Sequence, residues 1–441
     1  MIRGMRSTAA AVCLATAMLV SACGGSAGGS TTGQPETPEG GTNVPEKPKE
    51  NITLRMLQDG ATISDDEFAN LIAAPVKAKF PHITVEMVRL GKGEASIESM
   101  LARGDFPDFV FTTYPRIKAH RDLGTVLDLS ALIQTHKLDM NRFDAAALET
   151  SRVYGDGKYY GIPFSLNFLA FFYNKDLFDQ FGVSYPKEGM TWEETIAMAR
   201  SFSRTVGGVT FKGIMLPGIT DLSTQLTLPR VDLKTNKAMI ASDGWRRVFD
   251  VIKAANEIPG NQNQVLDDFL VNQTLAMLPS YDARFAALEK LHGTPNNFNW
   301  DITQFPSFKE YPNRSLASSG HFLLVSASTK KKDEAFEVIK LLTSNEIQNL
   351  ITEHGRFTSL RDEAIRNRYG VNMKSMQGKN ISVVFKSAFA PPFTPTPYDA
   401  IASRHLNEAV KKLNAGQSDI NTIMREAEEL TNRDIEAELK K

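Results

Sequence analysis

The sequence predicts an α/β fold with mostly parallel sheets, and three observations carry that expectation. From residue 52 onward, stretches that alternate apolar and polar residues give way to stretches of helical period, and back again. The first five read strand, helix, strand, helix, strand, an order that requires parallel strands joined by right-handed crossovers. The composition, 42% hydrophobic and 23% charged over 441 residues, suits a large buried core and a length of two or three domains.

Taken in order, residues 52–57 alternate as a strand. Residues 66–80 place Phe68, Leu71, Ile72, Val76 and Phe80 on one helical stripe, which Pro81 ends. A second strand is expected over 83–88, a short helix over 94–103 and a third strand over 109–113. Thr191-Trp192-Glu193-Glu194 has the form of a capping box ahead of Ile196, Ala199 and Phe202. Ser242 is placed to cap a helix bearing Trp245, Val248, Phe249 and Ile252. Residues 322–326 read as a buried strand, 333–342 as a helix with Ala335, Phe336, Ile339 and Leu342 inward, and Gly355 as the residue that ends the next helix. Residues 418–440 read as a charged helix with a narrow stripe of Ile420, Ile423, Ala427 and Leu430.

The N-terminus reads as an address rather than as structure. Arg3 and Arg6 precede 12 uncharged, mostly apolar residues, 9–20, the length of a signal-peptide core. Leu19-Val20-Ser21-Ala22-Cys23 resembles a bacterial lipobox, which implies cleavage before Cys23, a diacylglyceryl group on its sulfur and anchoring on the extracytoplasmic face of a membrane. Cleavage would remove residues 1–22 with Cys13, two arginines and no acid, taking the formal net charge from −1 to −3. Residues 23–50 read as a disordered tether, because 17 of the 28 are Gly, Pro, Ser or Thr and too little apolar surface is present to offset ordering. Gly24-Gly25-Ser26-Ala27-Gly28 spells a hydrolase pattern, but that pattern has meaning only on a strand-turn-helix elbow.

Fifty basic residues against 51 acidic ones leave no strong overall field to hold nucleic acid, which argues against such a partner. Two cysteines make neither a zinc site nor a disulfide framework. The seven histidines include no pair at helical-turn spacing, and there is no HExxH, Walker A or GxGxxG motif. No catalytic residue, metal or cofactor is therefore expected. What the chain offers instead is aromatic residues near strand ends and in loops, with Asp, Asn, Arg and Thr beside them. An aromatic ring packs on the C–H face of a sugar while such polar groups bond its hydroxyls. Trp245 and Trp192 lie at helix positions that read as core; Tyr114, Tyr281 and Tyr398 follow strands or sit in turns.

Several segments, in order, carry a resemblance. Tyr160-Gly161-Ile162-Pro163-Phe164, Phe172-Tyr173-Asn174-Lys175-Asp176-Leu177-Phe178 and Thr191-Trp192-Glu193-Glu194 resemble the central signature of extracellular solute-binding proteins of ABC importers, family 1. Phe80 to Glu86, Pro107 to Phe111, Phe269 to Met277 and Ser319 to Gln348 resemble its other segments. The resemblance implies the periplasmic-binding-protein-like type II fold, in which two α/β lobes joined by three crossovers close on a ligand. Here it places one lobe at 51–160 plus 306–355 and the other at 161–305 plus 356–441. It implies a monomer that captures a carbohydrate and docks on a membrane permease.

Carried over segment by segment, the resemblance nominates Asp59 after the first strand, Tyr114 and Arg116 after the third, and Tyr281 and Asp282 after the Ala-Met segment. Tyr398 and Asp399 are nominated in the region 391–401, with Asn167 and His321 as further candidates. Two tryptophans frequent in the family are absent, which disfavours a long malto-oligosaccharide, and Arg116 would suit an acidic sugar. A sensory lipoprotein of the same fold, a peptide- or polyamine-binding protein and a secreted glycoside hydrolase are the competing readings; the last needs two convergent carboxylates.

Overall fold

The structure, a computed structural model, describes residues 50–90 and 96–440. The expected signal peptide, Cys23 and all but the last residue of the expected tether lie outside the described residues.

Among the described residues thirteen strands follow in chain order: β1 Ile52–Asp59, β2 Ile83–Arg89, β3 Phe109–Thr113, β4 Ile162–Asn167, β5 Leu169–Asn174, β6 Arg204–Val206, β7 Val209–Ile214, β8 Leu275–Tyr281, β9 Trp300–Thr303, β10 Arg314–Ala317, β11 Ser319–Val325, β12 Phe357–Thr358 and β13 Ala388–Ala390. Six of them form one sheet, ordered β12-β4-β11-β3-β1-β2, and five form another, ordered β6-β7-β8-β5-β9. β10 and β13 pair as a separate ribbon.

The expected βαβαβ unit is present. β1 pairs in parallel with β2 and with β3. The helical stripe between the first two strands is one continuous helical stretch, with Ala69–Ala73 in a π-turn between two α segments. The capping box at Thr191 forms as read: Thr191 Oγ1 accepts from the Glu194 amide and Glu194 Oε2 accepts from the Thr191 amide.

The sheets are mixed, however, not mostly parallel. β11 runs antiparallel to β3 and β4, β12 antiparallel to β4, and β5 antiparallel to both β8 and β9. The physical reason is where the chain crosses between sheets. β1, β3 and β4 all run toward the edge that faces the second sheet, and the chain leaves for that sheet at Phe168. Strand β11 re-enters from that edge and therefore runs the other way; β12, reached through the helices Lys332–Leu342 and Asn345–Glu353 of the first sheet's own core, also runs antiparallel to β4.

Strand pairing and burial also move the expected lobe boundaries. β4 and β12 belong to the first sheet, although the division after residues 160 and 355 would give them to the second. Phe308 and Leu316 lie in the core of the second sheet with Trp192, Trp245 and Phe249, although 306–355 was expected in the first lobe. Each sheet has its own apolar core, built on Phe109, Phe111, Phe164 and Phe336 in the first. At the crossover Phe168 stands among Phe285, Phe357, Tyr369 and Phe385, with ring centroids 4.9–5.9 Å away.

Candidate functional site

The ends of β1, β3, β4 and β8 and the beginning of β11 converge where the two sheets face each other. In open α/β sheets the carboxyl ends of the strands are where ligands bind, because side chains and loops there are free of the sheet's own pairing. A cavity of about 520 Å³ opens at this point. Gly60 and Thr62 line it from the first loop and Glu67 from the helical turn Asp65–Phe68, Ser165, Asn167, Ser319 and His321 from the first sheet, and Tyr281, Asp282 and Arg284 from the end of β8 and the helix Ala283–Leu291. Gly355 and Arg356 complete it.

The first-sheet wall is held by pairing and stacking. His321 stands in β11 opposite Thr113 of β3 and Ser165 of β4. Its ring stacks on Phe111 at 5.2 Å and its Nδ1 lies 2.9 Å from Ser165 Oγ. Burial, with the Arg356 charge beside it, pushes the His321 imidazolium down to a pKa of about 3, so the ring is neutral and Nδ1 accepts when the serine donates. Arg356 donates through Nε to Glu67 Oε1 at 2.9 Å and through Nη2 to the Thr62 carbonyl at 2.6 Å. Burial would raise Glu67, but Arg356 and the Ser64 cap outweigh it and hold the carboxyl low. Arg356 is thus an internally paired cation.

The second-sheet wall is different. Asp282 is buried, and its amide donates to the Phe168 carbonyl at 2.9 Å. Burial pushes its carboxyl up to about 8, against the pull of Arg356 and nearby backbone amides, so the group is largely protonated at neutral pH. Arg284 has a buried Nε without any hydrogen-bond partner, and burial lowers its pKa against the pull of Asp282. Across from it, on the first sheet, Asn167 Nδ2 donates to Ser319 Oγ at 3.3 Å.

Tyr281 joins this cavity to a second polar group. Its hydroxyl donates to Asp221, and burial with the charge of Asp221 and the nearby Tyr114 pushes the phenol well above its ordinary range. Tyr114 packs edge-on against Tyr154 at 5.0 Å, and both feel Arg230. Arg230 lies over the Phe393 ring and keeps a buried Nε without a partner.

Of the nominated residues, Asn167, Tyr281, Asp282 and His321 line the cavity. Asp59 does not; it is buried beneath Gly60, where His120 Nε2 donates to it at 3.1 Å and Arg116 lies 3.6 Å away. Arg116 folds over Gly60, whose φ of +72° and lack of a Cβ leave room for that side chain. Tyr114 belongs to the adjoining Tyr154–Asp221–Arg230 group. Tyr398 packs on the core of the second sheet, and Asp399 accepts from the Thr396 amide and hydroxyl, closing its own turn. Arg284, Arg356, Glu67, Asp221 and Arg230 were missed. Gly355 carried a signal for Arg356, since a residue after a helix-ending glycine leaves the helix; the others had none. Among the described residues no group of three or more His, Cys, Asp or Glu is placed to hold a metal ion, and no helix is long and apolar enough to cross a membrane.

Comparison with known families shows what kind of protein this is. The family model described as bacterial extracellular solute-binding protein matches residues 64–349, well over half of the chain. The chain belongs to that family. Solute-binding proteins of this family hold a solute and do not transform it, and their fold is the type II two-lobe arrangement that the two sheets form here.

Solved structures repeat the architecture at low identity. An ABC substrate-binding protein of Listeria monocytogenes in complex with cycloalternan superposes with a TM-score of 0.69 at 20% identity, covering 88% of this chain and 99% of that one. The sugar-binding protein MalE from Xanthomonas citri gives 0.67 at 17%, covering 88% and 98%. The cyclic alpha-maltosyl-1,6-maltose binding protein from Arthrobacter globiformis gives 0.67 at 14%, covering 87% and 99%. At such identities the likeness is one of fold. In this solute-binding protein the cavity lies between the two sheets, at the place where the lobes meet.

Proposed function

We propose that this protein is the ligand-capturing subunit of an ABC importer, that it holds a sugar or oligosaccharide between its two lobes, and that the closed form docks on a membrane permease. The observation that carries the sugar reading is the makeup of the cavity. Tyr281 offers an aromatic face, and Asn167, Ser165, Ser319 and Asp282 offer donors and acceptors around it. That mix of one apolar surface with several convergent polar groups matches the alternating C–H and O–H faces of a pyranose. Relatives of the same fold were solved with cycloalternan, mannotriose and maltotetraose bound, which supports the same ligand class here.

The lobes would hinge at Phe168, at 304–318 and beyond Phe357–Thr358. Walls from both sheets line the cavity, so a ligand would touch both lobes only when they are closed and would shift the equilibrium by that difference in contact. Acylation of Cys23 after removal of residues 1–22, with 23–50 as tether, would hold the protein as a monomer on the outer face of the cell membrane.

Calorimetric titration of the secreted protein against neutral and acidic oligosaccharides, with peptides and polyamines as controls, tests the ligand class. Saturable binding of saccharides alone, with a fall in radius of gyration by solution scattering, is the expected result. Binding of a control with no response to any saccharide would overturn the sugar reading. Labelling with a radioactive fatty acid that is lost in Cys23→Ser tests the anchor.

A further inference from the structure

Four arginines stand at or next to the cavity, and three of them have a hydrogen-bond or ion-pair partner. Arg356 is bonded to Glu67 and the Thr62 carbonyl. Arg116 lies against Asp59. Arg230 Nη2 donates to the Thr220 carbonyl at 3.3 Å, its plane covers Phe393, and its charge opposes the rise that burial gives Asp221 and Asp399. Arg284 is the exception. It lines the cavity, forms no hydrogen bond or ion pair with any described residue, and keeps its Nε buried and unpartnered. Its one acidic neighbour, Asp282, is itself driven toward its neutral form by burial.

A buried donor left unsatisfied is costly, and although Arg284 as a whole is only partly buried, its Nε is shut off from water with no acceptor. Such a group persists in a binding protein when the ligand brings the missing partner. The guanidinium fork is planar and matches a carboxylate through two parallel hydrogen bonds, which a neutral hydroxymethyl group cannot supply.

Building on the sugar-binding reading, we infer that the ligand carries a negative group that Arg284 receives, and that the carboxylate of a uronic acid is its best geometric match. The acidic-sugar role that the sequence assigned to Arg116 thus passes to Arg284, because Asp59 already occupies Arg116 and nothing occupies Arg284.

The test uses the full protein and matched pairs of oligosaccharides that differ only at the acidic carbon. Trigalacturonate is set against its methyl ester, and glucuronate- and mannuronate-containing trimers against their neutral counterparts, with a sulfated trimer as a further arm. The expected result is that at least one acidic member binds about 10- to 100-fold more tightly than its neutral partner, the range for a charge-assisted pair. That preference should vanish in Arg284→Ala, recover in part in Arg284→Lys and weaken as salt rises. Preference for the sulfated trimer, lost in Arg284→Ala, would keep the anion and replace the carboxylate. Neutral sugars binding as tightly as acidic ones, or acidic binding untouched by Arg284→Ala in a protein that melts like wild type, would overturn this inference and leave the sugar reading intact. Binding of no saccharide would overturn both.

Discussion

The Tyr281 hydroxyl donates to Asp221 Oδ1 across 3.1 Å, tying the last residue of β8 to the first turn of the helix Ile219–Gln225. Burial raises the Asp221 carboxyl above its ordinary range, and the Tyr281 bond and the Arg230 charge oppose that rise. Tyr281→Phe keeps the ring and removes the donor. The carboxyl should then rise further, and the fold should lose about 1 kcal/mol, the usual net contribution of one intramolecular hydrogen bond. Urea unfolding with an unchanged slope and a lower midpoint is the expected outcome. An unchanged midpoint would mean that the bond contributes nothing in solution.

Asp282 and His321 titrate in opposite senses and set a shape for stability against pH. Asp282 rises from 3.8 to about 8, so between those values the folded state holds a proton that the unfolded state has lost, and stability falls as pH rises. His321 falls from 6.5 to about 3, so the unfolded state takes up a proton first and stability is lost as pH falls from 6.5 toward 3. The two contributions oppose each other from about pH 4 to 6.5, and only Asp282 acts from 6.5 to 8. Wild type should therefore lose stability over that upper window by up to about 1.4 kcal/mol per pH unit. Asp282→Asn should be flat there and should rise from pH 4 to 6.5 as the unopposed histidine dictates. Parallel urea profiles for the two proteins would refute the assignment.

Asp59 and Arg116 separate a structural role from a binding role. Burial pushes Asp59 up, but the His120 hydrogen bond and the Arg116 and His120 charges outweigh it and hold the carboxyl low. Its contribution is present above about pH 4 and is lost as pH falls through the lowered value. Asp59→Ala should cost about 3–5 kcal/mol, since it strands partners of a buried group. Arg116→Ala should cost under about 1 kcal/mol, because half of that side chain is exposed and the pair spans 3.6 Å. Neither should change saccharide affinity more than about threefold. A tenfold loss in Arg116→Ala with normal stability would make Arg116 a ligand contact after all.

The two kinds of legibility differ for a physical reason. Period and caps are local, so the βαβαβ start, the Thr191 capping box and the Gly355 helix end could all be read from neighbours in sequence. Strand direction after residue 160 could not, because β4 and β11 are 152 residues apart at the Asn167–Ser319 contact and their pairing depends on where the chain re-enters. The site divides in the same way. Tyr281, Asp282, Asn167 and His321 stand in or directly beside strands and line the cavity. Arg284 is distinguished only by lacking a partner, a property of three dimensions that no spacing encodes. The resemblance nominated Asp59 from the loop after the first strand, but it is the last residue of β1 and is buried against His120.

Gly320 fixes the wall between the lobes. A Cβ there would sit 2.4 Å from the Ser165 carbonyl oxygen and 3.1 Å from Leu166 Cα, both backbone atoms that cannot swing aside. Gly320→Ala must push β11 away from β4, and the Ser165–His321 and Asn167–Ser319 contacts go with it. A loss above about 2 kcal/mol is expected, together with a saccharide affinity at least tenfold weaker. Hydrogen exchange should show the added opening in 162–167 and 319–325. Wild-type protection in both strands would refute the steric account.

The three tryptophans give a prediction that runs against the usual assay for proteins of this kind. Trp192 and Trp245 are fully buried and Trp300 nearly so, and all three lie in the second sheet's layers. Trp192 Nε1 donates to Gln225 Oε1 at 2.8 Å, and Trp245 Nε1 to the Pro229 carbonyl at 3.1 Å. Trp300 packs under Lys379, whose Nζ lies 4.0 Å from the ring centroid. None lines the cavity. Emission should therefore lie at the blue end of the range, resist acrylamide and change little when a saturating saccharide is added. The response should come instead from tyrosine, through Tyr281 and its neighbour Tyr114, as a change in near-ultraviolet circular dichroism that is lost in Tyr281→Ala. A large red or blue shift of tryptophan emission on binding would place an indole at the ligand and contradict the site described here.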